Sequence, residues 1–462
     1  MNVRRNLVAS VYVVFLALFL NSCGGNGGGE SFEVGDFVIE IEYSLLPGDV
    51  FPTFISHIFG GNDDMSWDFA EITISNTGSK DASLTVSTEL TGYGETSVDQ
   101  IEVASGKTAT VKSNPSFNFD ALFAVNTPLP GNAKTVIKAG GDILWEQTKS
   151  LQISSRNTMF FEVLEEEELI SLIPLLCVFV TPHDKGKSID MVLSAAADLM
   201  PTGSMIGYQE AVTPSEMIEV EGGYVVEEQV LLFKGDEISI SIPSVYGGSA
   251  DIDFFVMDAT NMELWTDDKP AAMYVSGPGS TSGASFSFVA NNDGVYHLVY
   301  WNSDINGATR TLNRVRSYSH VEIVTYQVGA IYSVLQDMGV SYVSTPADFF
   351  ESAQHIKYPS ETVTDKSGNC IDGAVLFASA IEALGMNAHI AVVPGHAFAA
   401  VDVWFDVPSV IAIETTLVGS DKTWLEAVEI GIDEWGQYAA EEELIDVRVQ
   451  ECREMGLLPA PM

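Results

Sequence analysis

At 462 residues the chain is too long for one compact core, so two or three domains are expected. Its 64 acidic residues against 21 basic ones give a formal charge of −43, which repels nucleic acid and anionic lipid headgroups and argues against them as partners. A hydrophobic content of 46% with 10% aromatics excludes a disordered chain.

The N-terminus opens with a short basic "MNVRR" and the apolar run "NLVASVYVVFLALFL", too short for a permanent membrane span. "LNSCGG" follows, with Leu20 at −3, Ser22 at −1 and Cys23 at the junction. This stretch resembles the lipobox of bacterial lipoproteins. The resemblance implies a signal peptide over 1–22, a lipid on Cys23, and a protein exported to the cell envelope, at the outer membrane or cell surface. An ordinary signal peptide or an uncleaved anchor, with Cys23 incidental, is the alternative. The residues around Arg4 and Arg5 do not support a twin-arginine signal. The glycines of 23–30 read as a flexible tether.

Residues 31–165 alternate short β-rich runs with Gly, Asn and Ser turns: "FVIEIEYSL", "AEITISNTG", "ASLTVSTEL", "KTVIKA", and lastly "TMFFEV". This spacing predicts a β-sandwich suited to spacing or binding. The acidic "LEEEEL" at 164–169 marks a boundary. A helical segment over 166–210 follows, with Ser188 as the expected cap of its helix. A second β-rich region spans 211–321, includes "RSYSHVEIV", and has some similarity to the jelly-roll modules of secreted bacterial enzymes. Its Asp251, Asp253 and Asp293 are carboxylates of the kind calcium takes, but their spacing matches no calcium loop and a solvent-facing reading is preferred. "GYQ" at 207–209 and "TYQ" at 325–327 flank the region, which suggests that it is inserted into a domain continuing over 322–462.

That last region carries the chemistry. "VGAIYSVLQDMG" and "PADFFESAQHI" read as helices and "KYPSETVTDKSGN" as a loop. "CIDGAVLFASAIEALG" reads as a helix closed by Gly385, with Ile371, Val375, Ala378, Ile381 and Leu384 on its buried face. Cys370 therefore stands at the helix start, where unpaired N–H groups and the helix dipole favour a thiolate. The other cysteines differ. Cys177 lies in an apolar run, Cys452 in an amphipathic segment, and no paired spacing points to a disulfide framework.

A nucleophile needs a base and an orienting group. "AHIAVV", "PG" and "HAFAAVDVW" read as strand, turn and strand, with His396 opening the second strand. Asp402, six residues along, is ~20 Å away and too far to help. Glu414 on the next strand is expected directly opposite His396, about a turn centred near Phe405. The inferred triad is Cys370, His396 and Glu414. The backbone N–H of Cys370 is one oxyanion donor. Gln354 or Asn369 offers a second, unless Asn369 simply caps the helix.

The "GNCIDGAVLFASAIEALGM" helix, the "PGHAF" strand start and the acidic residue on the following strand resemble the transglutaminase-like superfamily of papain-like cysteine enzymes. The resemblance covers 330–430 and implies an α+β domain with the nucleophile's helix packed on an antiparallel sheet. It departs at Glu414, where aspartate is usual, and at His389, where many relatives carry arginine and no role is assigned. It implies acyl transfer at amide bonds of a protein or peptide, by hydrolysis or by cross-linking, with hydrolysis preferred. No cofactor is required. A metal site from His355, Cys370, His389 and His396 lacks paired spacing and is set aside. The fold expected overall is multidomain: two β-sandwiches, the second possibly inserted, and an α+β transglutaminase-like cysteine domain. The rival reading is an inactive surface lipoprotein that serves as a binding or assembly module.

Overall fold

The computed structural model describes residues 30–460, apart from 35–36, 46–48, 55–67, 166–167, 201–202, 209–214, 248–251, 278–282, 293, 306, 318–319, 345–352 and 405–408. The signal peptide, Cys23, most of the tether, Asp251 and Asp293 lie outside the described residues. Among those described, no helix is long and apolar enough to cross a membrane. The chain is β-rich, with several separate sheets.

Two sheets share the first core. One runs Glu30–Val34, Phe37–Leu45, Ala70–Asn76, Lys107–Ser113; the other runs Val50–Phe51, Asp142–Ile153, Leu129–Ala139, Ala82–Leu90, Ser97–Val103. Strict alternation turns Ile72, Ile74, Leu84 and Val86 inward, as a half-buried strand requires. "TMFFEV" does not belong to this sandwich, contrary to expectation. Thr158–Met159 pairs with Gln354–His355, and Met159 and Phe161 are buried in a different core, with Cys370. The acidic run is the hairpin Glu162–Glu165 with Glu168–Ser171.

A second pair of four-stranded sheets, within 215–316, encloses its own core of Val230, Ile240, Phe254, Leu298 and Tyr300. It lies in the chain between helix α1 (Ser188–Ala197) and helix α2 (His320–Asp337), and residues of both helices are buried together in the core that holds Cys370. "RSYSHVEIV" is therefore only partly strand. Its pattern reads as period two, yet Val321, Val324, Val328, Ile331 and Leu335 recur at helical steps and are buried on α2. Ser188 is not the cap of α1 either. Its backbone N–H donates to Asp184 Oδ1 at 2.9 Å, so the aspartate four residues upstream does the capping. The expected loop before Cys370 contains a helix, Pro359–Asp365, with Pro at its first turn and Glu361 completing a capping box.

The third core is built around helix α3 (Cys370–Ala383) and a four-stranded antiparallel sheet. The strands are β1 (Ala388–Val393), β2 (His396–Asp402), β3 (Val410–Ile413) and β4 (Ile445–Arg448), in spatial order β3-β2-β1-β4. Every residue of β1 is buried, because the sheet is covered on both faces. Ala388, Ile390 and Val392 join the core of α3, while Ala391 and Val393 pack with Trp435 and Tyr438 of helix α4 (Trp424–Ala440).

Helix α4 meets β3 through Gly431. A Cβ there would lie 2.7 Å from Ile413 N and 2.8 Å from Ala412 C and O. Gly431→Ala gains up to about 1 kcal/mol of helix propensity. The clash with strand backbone outweighs this, since the strand is held on its other edge by β2. Gly431→Ala is expected to lower the free energy of unfolding by a net ~1–3 kcal/mol, measured by denaturant titration.

Candidate active site

The start of α3 is fixed by its own cap. Asn369 accepts from Asp372 N at 2.9 Å, and Asp372 Oδ2 accepts from Asn369 N at 2.9 Å. Asp372 Oδ1 also accepts from Lys357 N at 2.7 Å, which ties the incoming segment to the helix. Asn369 is thus the helix cap, with its carbonyl oxygen committed. Gln354, half-buried, sits three residues before Lys357 in the short strand paired to Met159. Cys370 occupies the first position of the helix and is 6% exposed.

His396 follows the Pro394–Gly395 turn, whose glycine has φ +74°, and its Cα pairs with Val393. The imidazole is hydrogen-bonded to Cys370 on one side and through Nε2 to Glu414 Oε2 on the other, at 2.7 Å. Burial alone would lower its pKa, but the hydrogen bonds and charges of Cys370 and Glu414 overcome this and push it up to about 10. His396 is accordingly an imidazolium at neutral pH.

Glu414 reaches His396 by a different register from the one expected. The pairs are Ala399↔Ile413 and Ala400↔Ala412, so Glu414 faces Phe398 and meets His396 diagonally. The shift is two residues, which leaves the side chain on the same face. Glu414 Oε1 accepts from Thr416 N at 2.7 Å and from the Thr416 hydroxyl. Burial would raise its carboxyl, yet the bonds from His396 and Thr416 hold it below the usual range. Gly373 in α3 gives Thr415, beside Glu414, its place: a Cβ there would meet Thr415 Oγ1 at 3.0 Å.

One acid escaped the sequence reading. Glu434 of α4 brings Oε2 to 3.8 Å from His396 Nε2 and faces Glu414. One ring nitrogen of His396 and one carboxylate oxygen each of Glu414 and Glu434 lie within 4.8 Å of one another. His396 Nε2 and Glu414 Oε2 are already bonded to each other at 2.7 Å. The signal in the sequence is the step Ala427, Gly431, Glu434, one helix face whose two small residues let α4 approach the strand.

His389, left without a role, is 1% exposed and bonded at both nitrogens. Nδ1 lies 2.8 Å from Asp446 Oδ1 and Nε2 lies 3.0 Å from Asp402 Oδ1. Asp402, rejected as an orienter of His396, therefore serves this second histidine. Burial would lower the pKa of His389, but the two carboxylates push it up to about 9. Cys177 and Cys452 are buried, unbridged and in contact with each other. Burial, with Cys452 beside it, pushes the Cys177 thiol well up. Such a thiol is unreactive.

No protein-family model matches the chain, and no curated protein matches it in sequence. Among solved structures, the periplasmic inhibitor of g-type lysozyme from Aeromonas hydrophila is 14% identical and has a TM-score of 0.18. That match covers 23% of this chain and 86% of the other. The pre-peptidase C-terminal domain of a Bacillus anthracis collagenase is 15% identical over 22% of this chain and 89% of its own, with a TM-score of 0.17. A xylan-binding module from Roseburia intestinalis is 12% identical over 25% and 89%, with a TM-score of 0.16. Similarity this low carries no argument about fold or activity.

The His389 triad generates a prediction. The folded value of about 9 lies above the unfolded value of about 6.5. The stabilisation is therefore complete below pH ~6.5 and is lost as pH rises through about 9. Unfolding free energies at pH 6 and pH 9.5 should differ more in the wild type than in His389→Asn. Replacing Asp446 with Ala, which leaves the buried cation half-paired, should cost ~3–5 kcal/mol near neutral pH.

Proposed function

We propose that the chain is an envelope-anchored cysteine enzyme of transglutaminase-like type that performs acyl transfer on amide bonds of a protein or peptide. The observation that carries this reading is His396, held between Cys370 at a helix start and a buried, hydrogen-bonded Glu414. With Nε2 engaged by Glu414, Nδ1 is the nitrogen left to face the sulfur. The Cys370 thiolate attacks the amide carbonyl, and backbone N–H groups at the start of α3, that of Cys370 among them, receive the oxyanion. As the C–N bond breaks, the His396 imidazolium gives its proton to the departing amine. The neutral imidazole then takes a proton from water, whose oxygen attacks the thioester and frees the acid. Glu414 keeps the ring oriented throughout. Water is abundant in the envelope and no amine-binding site stands out among the described residues, so hydrolysis is favoured over cross-linking. The charge of −43 favours neutral or cationic substrates. The anchor is the lipid proposed on Cys23.

The 6% exposure of Cys370 favours a second reading, an inactive member of this fold that works as a binding or assembly module. Iodoacetamide separates the two. In the full chain in detergent at pH 7, an enzyme labels at Cys370 while Cys177 and Cys452 stay unlabelled. His396→Ala should slow the Cys370 reaction at least ~10-fold, through loss of the ion pair. Uniformly slow labelling of all three thiols, followed by mass spectrometry of the peptides, would instead establish the module.

A further inference from the structure

Glu434 sits where the triad has no evident need of it. Its residue is on α4, and Ala427, Gly431 and Glu434 form one face of that helix. Glu414 N donates to Ala427 O at 2.9 Å, and the missing side chain of Gly431 lets α4 lie against the backbone of β3. One turn further on, the same face delivers Glu434 to Glu414 and His396. The contact is therefore dictated by the packing of α4 on the sheet.

The hydrogen bonding at this point is incomplete unless a proton is added. Glu434 Oε2 is shielded from solvent and has no donor. Its neighbours are Glu414, a carboxylate, and His396 Nε2, whose N–H is already given to Glu414 at 2.7 Å. Two carboxylates cannot bond each other without a proton between them, and like charges this close disfavour double ionisation. A proton on Glu434 resolves both problems, because the acid then donates to Glu414.

We propose that Glu434 is a fourth, positioning member of this site: at neutral pH it holds a proton in a hydrogen bond to Glu414, and loss of that proton makes His396 retain its own more tightly. The inference rests on the reading of Cys370, His396 and Glu414 as an acyl-transfer triad. The charged groups facing Glu434 are Glu414 at the end of β3 and His396 on β2, with Cys370 behind His396. Burial and then Glu414 push the Glu434 carboxyl up to about 7, against the opposing pull of the imidazolium. The consequence for the reaction follows from charge. A protonated Glu434 leaves the imidazolium with one neighbouring anion besides the sulfur, so it releases its proton to the leaving amine more readily. An ionised Glu434 adds a second anion at 3.8 Å and opposes that release. The site is thereby set to work on the acid side of neutrality.

The test reads His396 and needs no substrate. The full chain in detergent, carrying 13C at histidine Cε1, is titrated from pH 5 to pH 11 and the His396 signal assigned by its loss in His396→Ala. The wild type should show a step near pH 7, from Glu434, before the titration of His396 itself. In Glu434→Gln the amide keeps the donor to Glu414 but cannot ionise. The step should vanish, and the His396 midpoint should fall by at least about half a pH unit, since an adjacent anion is gone. Glu434→Ala should also lose the step. A wild-type curve without a step, or a step that survives in both variants, overturns the inference. Iodoacetamide labelling keeps this result separate from the functional reading. Fast labelling of Cys370 with no Glu434 step sinks the inference alone, and a Glu434-dependent step with an unreactive Cys370 sinks the enzyme.

Discussion

Helix α3 has almost no solvent-facing side, and the position of Cys370 depends on that. From Cys370 to Ile381 every residue but Gly373 is buried, so the helix cannot slide or rotate without opening the core on several sides. Its two ends are pinned independently. At the start, Asn369 and Asp372 close the cap and hold Lys357 N. Near the far end, Glu382 takes Arg453 through both oxygens at 2.8 and 3.0 Å. The same guanidinium donates to the carbonyls of Cys177, Val180 and Leu457. All the donors of one arginine are used to join the helix, the segment after the first sandwich and the C-terminus. Cys370 is thus placed by the whole domain.

A chain this acidic must also keep its interior carboxylates from repelling one another, and several of them are given a cation. Glu228 and Glu216 share Arg314, and Glu228 and Glu322 share Arg316. These pairs couple the second sandwich to the first turn of α2. Arg314 and Arg316 are themselves buried, so removing the glutamates that face either one would leave a buried charge uncompensated. Asp402 and Asp446 share His389, Glu414 has His396, and a protonated Glu434 needs no cation of its own.

What could be read from the sequence follows from how local each feature is. The position of Cys370 was legible because a Gly-Asn pair before an apolar run is a helix-start signal that needs no tertiary information. The face of Glu414 was legible although its register was not, since a two-residue slip preserves the alternation of a strand. The buried face of α3 was legible only in part. Five positions were expected inward, and the helix is enclosed on nearly every side because a sheet, α2 and the 173–180 segment all pack on it. The start of α2 was misread as strand because Val321, Ile323 and the polar residues between them also fit period two. Glu434 was legible only as a residue on the small-residue face of α4. It lies 20 residues from Glu414, and the close approach at Gly431, a tertiary contact, brings the two together.

The two histidines of the sheet show what separates a structural ion pair from a chemical one. Both stand on the α4 face, His389 on β1 and His396 on β2, and both are raised by neighbouring acids against the effect of burial. His389 is closed: each nitrogen meets a carboxylate, the ring is 1% exposed, and any proton it lost would strand two half-buried anions. It stabilises the sheet and can do little else. His396 has a carboxylate at Nε2 and also meets the Cys370 sulfur, with 24% of its side chain open to solvent. In the proposed reaction the sulfur is a partner that leaves when it forms a bond to carbon, and its departure removes one of the groups holding the imidazolium proton. The ring then becomes a stronger acid at the moment the leaving group needs a proton. On the proposed reading, the same residue type in the same sheet is a clamp or a proton donor according to whether both of its partners are permanent.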